Sequence, residues 1–459
     1  MAASQPAQHG KDRHPPGLYL LFFTEMWERF SYYGMRALLT LYLTTALISG
    51  GLGFDKSVAM SIYGFFTGAV YFTPLAGGYL SDRYIGRRRA ITIGGILMAL
   101  GNFALFAWTN TTGLYIGLGL LIIGNGFFKP NISTLVGELY PNDEGKKDAA
   151  FTIFYMGINI GAFFAPLVTG YLADKLFMTS ANGVDHFGYR YGFLASAIGM
   201  VIGQVIYNSL GNRYLGDIGR TPVTTQTEGN SQGGTVAAGP LTTKEKQRTA
   251  VIVIITCFVI FFWAGFEQAG SSLTLYADTF VDKHFFGFEV PTAWFQSLNP
   301  LFIVLLAPVL SSFWIKLSHT KRGDLSIPVK MACGMILLGL GYMVLIMAVL
   351  QTGSDATNVV VQSNIMFIVF TYLLHTLGEL FLSPVGLSMV SKLAPLKLAS
   401  LLMGVWLASS GVANILAGYL AAYTQSLGYF EVFGLIGLMA IVMGIILLLL
   451  SGKLVRMME

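Results

Sequence analysis

The sequence predicts an all-α integral membrane protein in which roughly twelve transmembrane helices form two six-helix bundles around a central cavity. Apolar residues make up 54% of the 459 positions and charged residues only 11%, and the mean hydropathy is +0.64. These values lie outside the range of water-soluble globular chains. Apolar stretches of about 20 residues, the length that crosses a bilayer, recur along nearly the whole chain. A polar segment, 211–248, divides them into six and six.

Each helix is predicted from apolar windows of about 19 residues. Together the windows leave no contiguous piece of chain large enough for a separate soluble domain. In chain order, the predicted spans lie near 18–48, 58–80, 88–108, 112–137, 149–173, 189–210, 249–280, 292–316, 326–350, 363–391, 399–423 and 430–452.

The domain organisation follows from these spans. Residues 1–17 form a predicted N-terminal tail, which is polar and lacks the apolar core and cleavage site of a signal peptide. Residues 18–210 form the first predicted bundle and 249–452 the second. The linker 211–248 is rich in Gly, Ser, Asn and Thr, so it is too polar to span the membrane and too poor in apolar residues to fold alone. Residues 453–459 form the C-terminal tail.

Basic residues are concentrated in alternate loops, which lie on one side of this arrangement. The other set of loops carries just Lys56, Lys175, Arg190 and Lys283. Because positive charge favours the cytoplasmic side, both tails and the linker are predicted to be cytoplasmic. The formal charge of +5 is spread among these loops, unlike the single patch of a nucleic-acid-binding protein. The cytoplasmic set comprises the N-terminal cluster, Arg83, Arg87 to Arg89, Lys146, Lys147, Arg213 to Arg248, Lys316, Lys321, Arg322, Lys392, Lys397, Lys453 and Arg456.

Weak internal repetition is consistent with this topology. Similar five-residue segments end the second and fifth spans, which run in opposite directions, and a four-residue version ends the eleventh. Inverted three-helix repeats within each bundle would leave such matches, although chance could also produce them in glycine-rich helices. The segments are Gly78-Tyr79-Leu80-Ser81-Asp82, Gly170-Tyr171-Leu172-Ala173-Asp174 and Gly418-Tyr419-Leu420-Ala421.

The residue pattern gives little support to an enzyme, a metalloprotein or a sensor. Cys257 and Cys333 both lie inside apolar runs, which indicates packing positions rather than a disulfide or a metal site. No paired metal-ligand histidines, nucleophile motif or phosphate-binding glycine loop is present. The tails are too short for a signalling domain. We therefore expect no cofactor, no metal and no enzymatic activity.

The first span carries a concentration of ionisable groups. An ionisable residue at membrane depth costs roughly 2.5 to 3.5 kcal/mol on insertion scales, so each one calls for a partner, a water-filled cavity or a function. One interpretation is a surface stripe at the helix entrance, containing an ordinary Glu25–Arg29 pair. The polar face continues over three turns, which instead favours a cavity wall where a carboxylate exchanges a proton against a salt bridge. Within one arc of roughly 140° lie Glu25, Glu28, Arg29, Tyr32, Tyr33 and Arg36.

Three further charges lie deep in later spans. Lys129 precedes the helix-interrupting Pro130, and a snorkelling lysine is the alternative to a functional cation. Glu267 and Glu379 lie in the second half. Glu267 could pair with Arg36 and Glu379 with Lys129, but the sequence alone decides neither pairing. His375, one turn before Glu379, is interpreted as a hydrogen-bonded histidine rather than a proton relay.

These charges match a zwitterionic substrate. Basic groups on the first half and acidic groups on the second would face each other across the cavity. A peptide carboxylate would approach Arg36 and Lys129, and its amino group would approach Glu379. Asn159 and Asn299 could hydrogen-bond the peptide ends or the amide.

The motifs resemble those of the proton-dependent oligopeptide transporters, a family of the major facilitator superfamily. The similarity extends over almost the whole chain except the N-terminal tail and the linker. The loop with Asp82 and Arg83 is similar to the general superfamily signature, so it supports the fold but not the substrate. The segments that carry the resemblance are Glu25 to Tyr33, Tyr71 to Gly78, Asp82 to Arg88, Phe128 to Asn131, Phe154 to Gly161, Phe266 to Gln268, Trp294 to Pro300, Glu379 to Pro384, and Trp406.

The resemblance implies the function and the roles of particular residues. It implies proton-coupled import of di- and tripeptides by alternating access, with protons as the coupling ion and a cavity lined by Tyr32, Tyr33, Tyr71, Trp406 and Ser410. Proton coupling would involve Glu25, Glu28, Arg29 and Glu267, with Glu267 exchanging a salt bridge with Arg36. Peptide binding would involve Arg36 and Lys129 at the carboxylate, and Glu379, Asn159 and Asn299 at the amino end.

Two departures from the family pattern bear on the subgroup. Many bacterial members carry two additional helices between the halves, and the polar linker cannot supply them. The segment 351–362 also lacks the large external domain of animal members. We expect a bacterial inner-membrane protein that is surrounded by lipid, binds no nucleic acid and functions as a monomer. The alternative function is proton-coupled transport of nitrate, a drug-like compound or another small molecule on the same fold.

Overall fold

A computed structural model shows a bundle of long helices and describes residues 14–141, 143–222, 241–320, 323–353, 359–395 and 397–458. The predicted all-α membrane fold is confirmed, with a helix or broken helix at every predicted span. In chain order the helices are α1 Pro16–Thr44, α2 Lys56–Leu80, α3 Arg87–Ala107, α4 Thr111–Glu138, α5 Glu144–Tyr171, α6 Tyr189–Leu215, α7 Thr243–Phe266, α8 Ser272–Phe280, α9 Leu298–Ser318, α10 Ile327–Thr352, α11 Met366–Leu393, α12 Ala399–Leu427 and α13 Tyr429–Met458.

Among the described residues, eleven helical segments are long and apolar enough to cross a membrane. The first helix, α1, is absent from that set although it is 29 residues long. Its polar arc explains this, because charged side chains lower its apolar character. The helix therefore depends on burial of those charges against other helices rather than on lipid contact.

Helix ends follow from local capping residues. Asp55 accepts a hydrogen bond from the Ser57 amide at the start of α2, and Asn110 accepts one from Gly113 at the start of α4. At α7, Thr242 and Glu245 form a capping box, in which each side chain satisfies a backbone amide of the other. These caps satisfy backbone amides in the first turns of the helices, which otherwise remain unpaired.

The seventh span is broken. Helix α7 passes into a 3₁₀ turn, Glu267–Gly270, before α8 completes the crossing. A Cβ atom at Gly270 would lie 1.8 Å from the Tyr63 hydroxyl, so a side chain there would displace Tyr63. The eighth span also begins with a 3₁₀ turn, Thr292–Ser297, ahead of α9. Both irregular turns place polar groups at the boundary between the two halves of the chain.

We call the membrane side with the chain ends and the 211–248 segment the linker end, and the other side the opposite end. Five-residue π-helical turns follow α2 at Ser81–Ile85 and α5 at Leu172–Leu176, and a short 3₁₀ turn lies at Leu47–Ser49. Short two-stranded sheets, β1 with β2, β3 with β6 and β4 with β5, cover the opposite end. The strands are β1 Thr179–Ala181, β2 Val184–His186, β3 Val281–Asp282, β4 His284–Phe285, β5 Phe288–Glu289 and β6 Ser363–Asn364.

Two apolar cores correspond largely to the two halves of the chain. One is built mainly from α1 to α6 and the other from α7 to α13. Between them α2 meets α12 closely, since a Cβ at Gly64 would lie 2.6 Å from the Cα of Gly418. Several hydrogen bonds also join the halves toward the opposite end, including Thr40 Oγ1 to the Gly270 carbonyl at 2.6 Å and Ser297 Oγ to the Phe163 carbonyl at 2.8 Å.

The exact domain limits remain a prediction. Helix α6 continues to Leu215 and α7 begins at Thr243, so both ends of the predicted linker are helical. Residues 223–240, the middle of the predicted linker, lie outside the described residues, as do residues 1–13 of the N-terminal tail. The basic positions Lys321 and Arg322 also lie outside them.

Candidate substrate-binding site

A cavity of about 160 Å³ lies between the two halves of the chain. Helices α1 and α5 contribute one wall, and α9 and α11 contribute the other. Five of the predicted peptide-binding residues line it, namely Tyr33, Arg36, Asn159, Asn299 and Glu379. A cation from one half and a carboxylate from the other therefore open into the same space.

Arg36 forms an ion pair with Glu267 across the two halves. Its Nε also donates to the Tyr63 hydroxyl at 2.6 Å. Only 11% of the Arg36 side chain and 8% of the Glu267 side chain are exposed. Breaking a buried pair by removing one partner leaves an uncompensated charge, which typically costs about 3–5 kcal/mol. This contact therefore joins α1 to the 3₁₀ turn after α7 as long as both groups stay charged.

Glu379 is held by an amide rather than by a cation. Asn299 Nδ2 donates to Glu379 Oε2 at 2.7 Å and to the Thr376 hydroxyl at 3.1 Å. The possible pairing of Glu379 with Lys129 is not formed in this structure. Lys129 lies on α4, in the other half of the chain, where its Nζ is 4.5 Å from the centroid of the Tyr71 ring.

The acids of the first helix form a separate buried cluster. Arg29 Nε lies 2.9 Å from Glu25 Oε1 and also forms an ion pair with Glu28. Glu25, Glu28 and Arg29 are at most 5% exposed, so they do not form a surface stripe. Asn125 Nδ2 approaches Glu28 Oε1 at 3.4 Å. The cluster thus contains two carboxylates that share one ion-pair partner, Arg29, among the described residues.

The other predicted lining residues lie outside the cavity wall in this structure. Tyr32 is buried against Phe66, with ring centroids 6.3 Å apart. Tyr71 lies beside Lys129, and Trp406 packs on α11 at Gly386, two turns after Glu379. The Ser410 carbonyl accepts a hydrogen bond from Asn414 at 2.9 Å. Their roles toward a substrate remain predictions.

Sequence reasoning missed several residues at this site. Tyr63 binds the Arg36 guanidinium, and Tyr155, Gln296 and Tyr372 line the cavity. Each is an uncharged polar side chain in a helix or turn that contains other polar residues as well. Such a residue carries no periodic signal, and only the packing of distant helices shows which way it points.

His375 also lines the cavity but is largely enclosed by α10. It is 2% exposed, and its ring centroid lies 4.8 Å from that of Tyr342. A Cβ at Gly341 would lie 2.4 Å from the imidazole, which shows how closely the ring packs on that helix. The hydrogen-bonded histidine that the sequence favoured, rather than a relay to Glu379, stays a prediction.

Comparison with known proteins identifies the family to which the chain belongs. The model of the POT family matches residues 88–222 and 228–435. The chain belongs to the POT family. A Bacillus subtilis relative, uncharacterized transporter YclF, is 36% identical and is matched over 98% of this chain and 96% of its own length.

Other POT-family proteins are named for peptide transport. The peptide transporter YePEPT of Yersinia enterocolitica is 33% identical over 90% of this chain and 88% of its own length. A crystal structure of the peptide transporter POT in complex with sulfate superposes with a TM-score of 0.87 at 33% identity, covering 98% of this chain and 97% of the other. These relatives are transporters, so the chain is an integral membrane transporter rather than an enzyme.

Proposed function

We propose that this POT-family protein is a proton-coupled symporter that imports di- and tripeptides by alternating access. One observation carries the proposal: the cavity between the halves opens onto the Arg36 guanidinium from α1 and the Glu379 carboxylate from α11. Opposite charges on opposite walls suit a zwitterion whose two ends are charged. The names of the transporter relatives agree with a peptide as that zwitterion.

Substrate binding would reorganise the charges already present. A peptide carboxylate would compete with Glu267 for Arg36, with Lys129 as a second cation nearby. Its amino group would bind Glu379, whose orientation Asn299 maintains through a 2.7 Å hydrogen bond. Asn159 would hydrogen-bond the peptide backbone, and the tyrosines would bound the side-chain space. Recognition through the two termini leaves the peptide side chains largely unspecified.

Proton coupling would act on the same contacts. A proton on Glu267 removes its negative charge, so Arg36 is released from the second half. A proton on Glu25 or Glu28 similarly weakens the link to Arg29. Each inward positive charge gains about 2.3 kcal/mol per 100 mV of membrane potential. Substrate and proton together would therefore favour separation of the two halves at the opposite end.

The orientation of the molecule belongs to the same proposal. The linker end would face the cytoplasm of a bacterial cell, because that end carries most of the lysines and arginines. The halves are joined by hydrogen bonds near the opposite end, so that end would be closed to the outside in this structure. A monomer embedded in lipid of the inner membrane would suffice, since each chain contains a complete cavity.

Uptake of labelled dialanine into proteoliposomes tests this function. Accumulation should require an inward proton gradient with a negative-inside potential, and unlabelled di- and tripeptides should compete. Free alanine serves as the control competitor, because it has both charged ends at the wrong separation. Absence of uptake by folded protein would exclude peptide symport and favour a non-peptide substrate on this fold.

A further inference from the structure

A basic recess lies at the linker end, where α3 begins and α6 ends. Its volume is about 720 Å³. It is outside the substrate cavity and shares no residue with it. Three arginines and three neutral polar side chains supply most of its polar lining: Arg88, Arg89, Arg220, Thr92, Asn208 and Asn212.

Hydrogen bonds position two of these arginines. Arg88 donates to the Gly216 carbonyl at 2.8 Å and to Asn212 Oδ1 at 2.7 Å. Arg220 donates to the same Asn212 oxygen at 3.0 Å and pairs with Asp217 at 3.0 Å. The three arginines thus face one neighbouring carboxylate, and the recess keeps an excess of positive charge.

Arg89 accounts for much of that excess. Its side chain is exposed, and in the described part of the chain it makes no hydrogen bond or ion pair. An exposed cation is therefore available to an anionic ligand.

An apolar groove continues from the recess along the same two helices. Its volume is about 440 Å³, and it shares Asn208 with the recess. Ile96 on α3 and Val205 on α6 line it and are 49% and 59% exposed. Since these faces belong to membrane-spanning helices, the groove faces lipid.

We propose that the recess and the groove together bind one anionic phospholipid. The phosphate would lie among Arg88, Arg89 and Arg220, and an acyl chain would lie along the groove. Basic pockets between transmembrane helices are suited to anionic headgroups, and the adjoining apolar groove favours a lipid over free phosphate. The hydrogen bond from Arg88 to the Gly216 carbonyl connects α3 to the segment that follows α6, so the bound lipid would stabilise that contact.

Native mass spectrometry of the purified full-length protein in detergent tests this site. Phosphatidylglycerol and phosphatidylcholine with identical acyl chains are titrated separately. We expect tighter binding of phosphatidylglycerol, and Arg89→Gln should weaken it about fivefold while leaving phosphatidylcholine unchanged. Arg213→Gln is the matched control, because Arg213 is exposed at the same end of α6 but outside the recess. Equal binding of the two lipids, or equal losses in both variants, would refute the site.

A second variant distinguishes between a phospholipid and a free anion as the ligand of the recess. Val205→Trp adds bulk to the apolar groove at an exposed position, so it should weaken phosphatidylglycerol binding without unfolding the protein. Thermal unfolding of each variant checks the fold. Inorganic phosphate should compete only weakly. If it displaces the lipid at similar concentrations, or if Val205→Trp binds the lipid as the parent does, the recess is a phosphate site and the lipid proposal is wrong.

Discussion

Arg36 and Glu267 form an ion pair that joins the first half of the chain to the second, and Tyr63 orients the same guanidinium through a 2.6 Å hydrogen bond. The pair lies at the break in the seventh span, because Glu267 is the first residue of the 3₁₀ turn Glu267–Gly270. The contact is buried and lies beside the substrate cavity. A change of charge on either partner therefore affects both the cavity and the contact between the halves.

Replacing Glu267 with Gln should uncouple transport from the proton gradient. The amide cannot take up a proton at the step that releases Arg36, so we expect gradient-driven dialanine uptake to fall at least tenfold, about 1.4 kcal/mol or more. Exchange of labelled for unlabelled peptide across the membrane should remain. Glu431→Gln, at an exposed position of α13, is the control. Gradient-driven uptake at the parent rate in Glu267→Gln would show that this carboxylate is not part of the coupling.

Replacing either acid of α1 with Gln should also abolish proton-driven uptake, but through the contact with Arg29 rather than with Arg36. Glu25 and Glu28 are buried with Arg29, and a Gln at either position removes a proton acceptor and part of the compensation of Arg29. We expect proton-driven uptake to be lost in Glu25→Gln and Glu28→Gln, while peptide counterflow stays measurable. If both variants accumulate peptide at the parent rate, the cluster serves stability alone.

A salt bridge at the opposite end should be insensitive to physiological pH. Lys175 Nζ lies 2.8 Å from Glu289 Oε2, and this hydrogen bond lowers the pKa of Glu289. A lowered pKa means that the stabilisation is present above the ordinary value of about 4.3 and is lost only as the pH falls through the lower value. Since 49% of the Glu289 side chain is exposed, the pair is worth about 1 kcal/mol or less.

Thermal unfolding of Glu289→Gln at several pH values measures that contribution. The melting temperature should drop slightly, and by the same amount at pH 7.5 and pH 5.5, relative to the parent. The difference should vanish only in stronger acid, below about pH 4. Glu431→Gln should show no such effect, although Glu431 lies in the first turn of α13 at the same membrane end. A difference that disappears between pH 7.5 and 5.5 would contradict the lowered pKa.

The contact between α2 and α12 should not tolerate a side chain. A Cβ at Gly64 would lie 2.6 Å from the Gly418 backbone, so Gly64→Ala forces the two helices apart. We expect slower dialanine uptake and a lower melting temperature. Gly119→Ala on α4 is the matched control, because no atom lies within 4 Å of its Cβ position and alanine favours helix by about 1 kcal/mol. Equal behaviour of the two variants would mean that the close approach is unimportant for function.

The sequence by itself determined the membrane fold, the number of spans and the polar face of the first helix. Hydropathy is a local property, since each helix must present about 20 apolar residues to lipid whatever its neighbours are. The arc from Glu25 to Arg36 was likewise predictable, because the rotation of about 100° per residue is the same in every α-helix. Glu25, Glu28 and Arg29 do lie together, but they are buried and, unlike Tyr33 and Arg36, do not line the cavity as the predicted wall would.

Only the tertiary structure decided which charges meet. The sequence allowed Glu267 to pair with Arg36 and Glu379 with Lys129, but Glu379 is bound by Asn299 and Lys129 lies on Tyr71. Tyr63 as a partner of Arg36, and the enclosure of His375 by α10, were equally beyond sequence reasoning. The physical reason is that these contacts join residues up to 231 positions apart, so they depend on how helices pack and rotate against each other rather than on any local pattern.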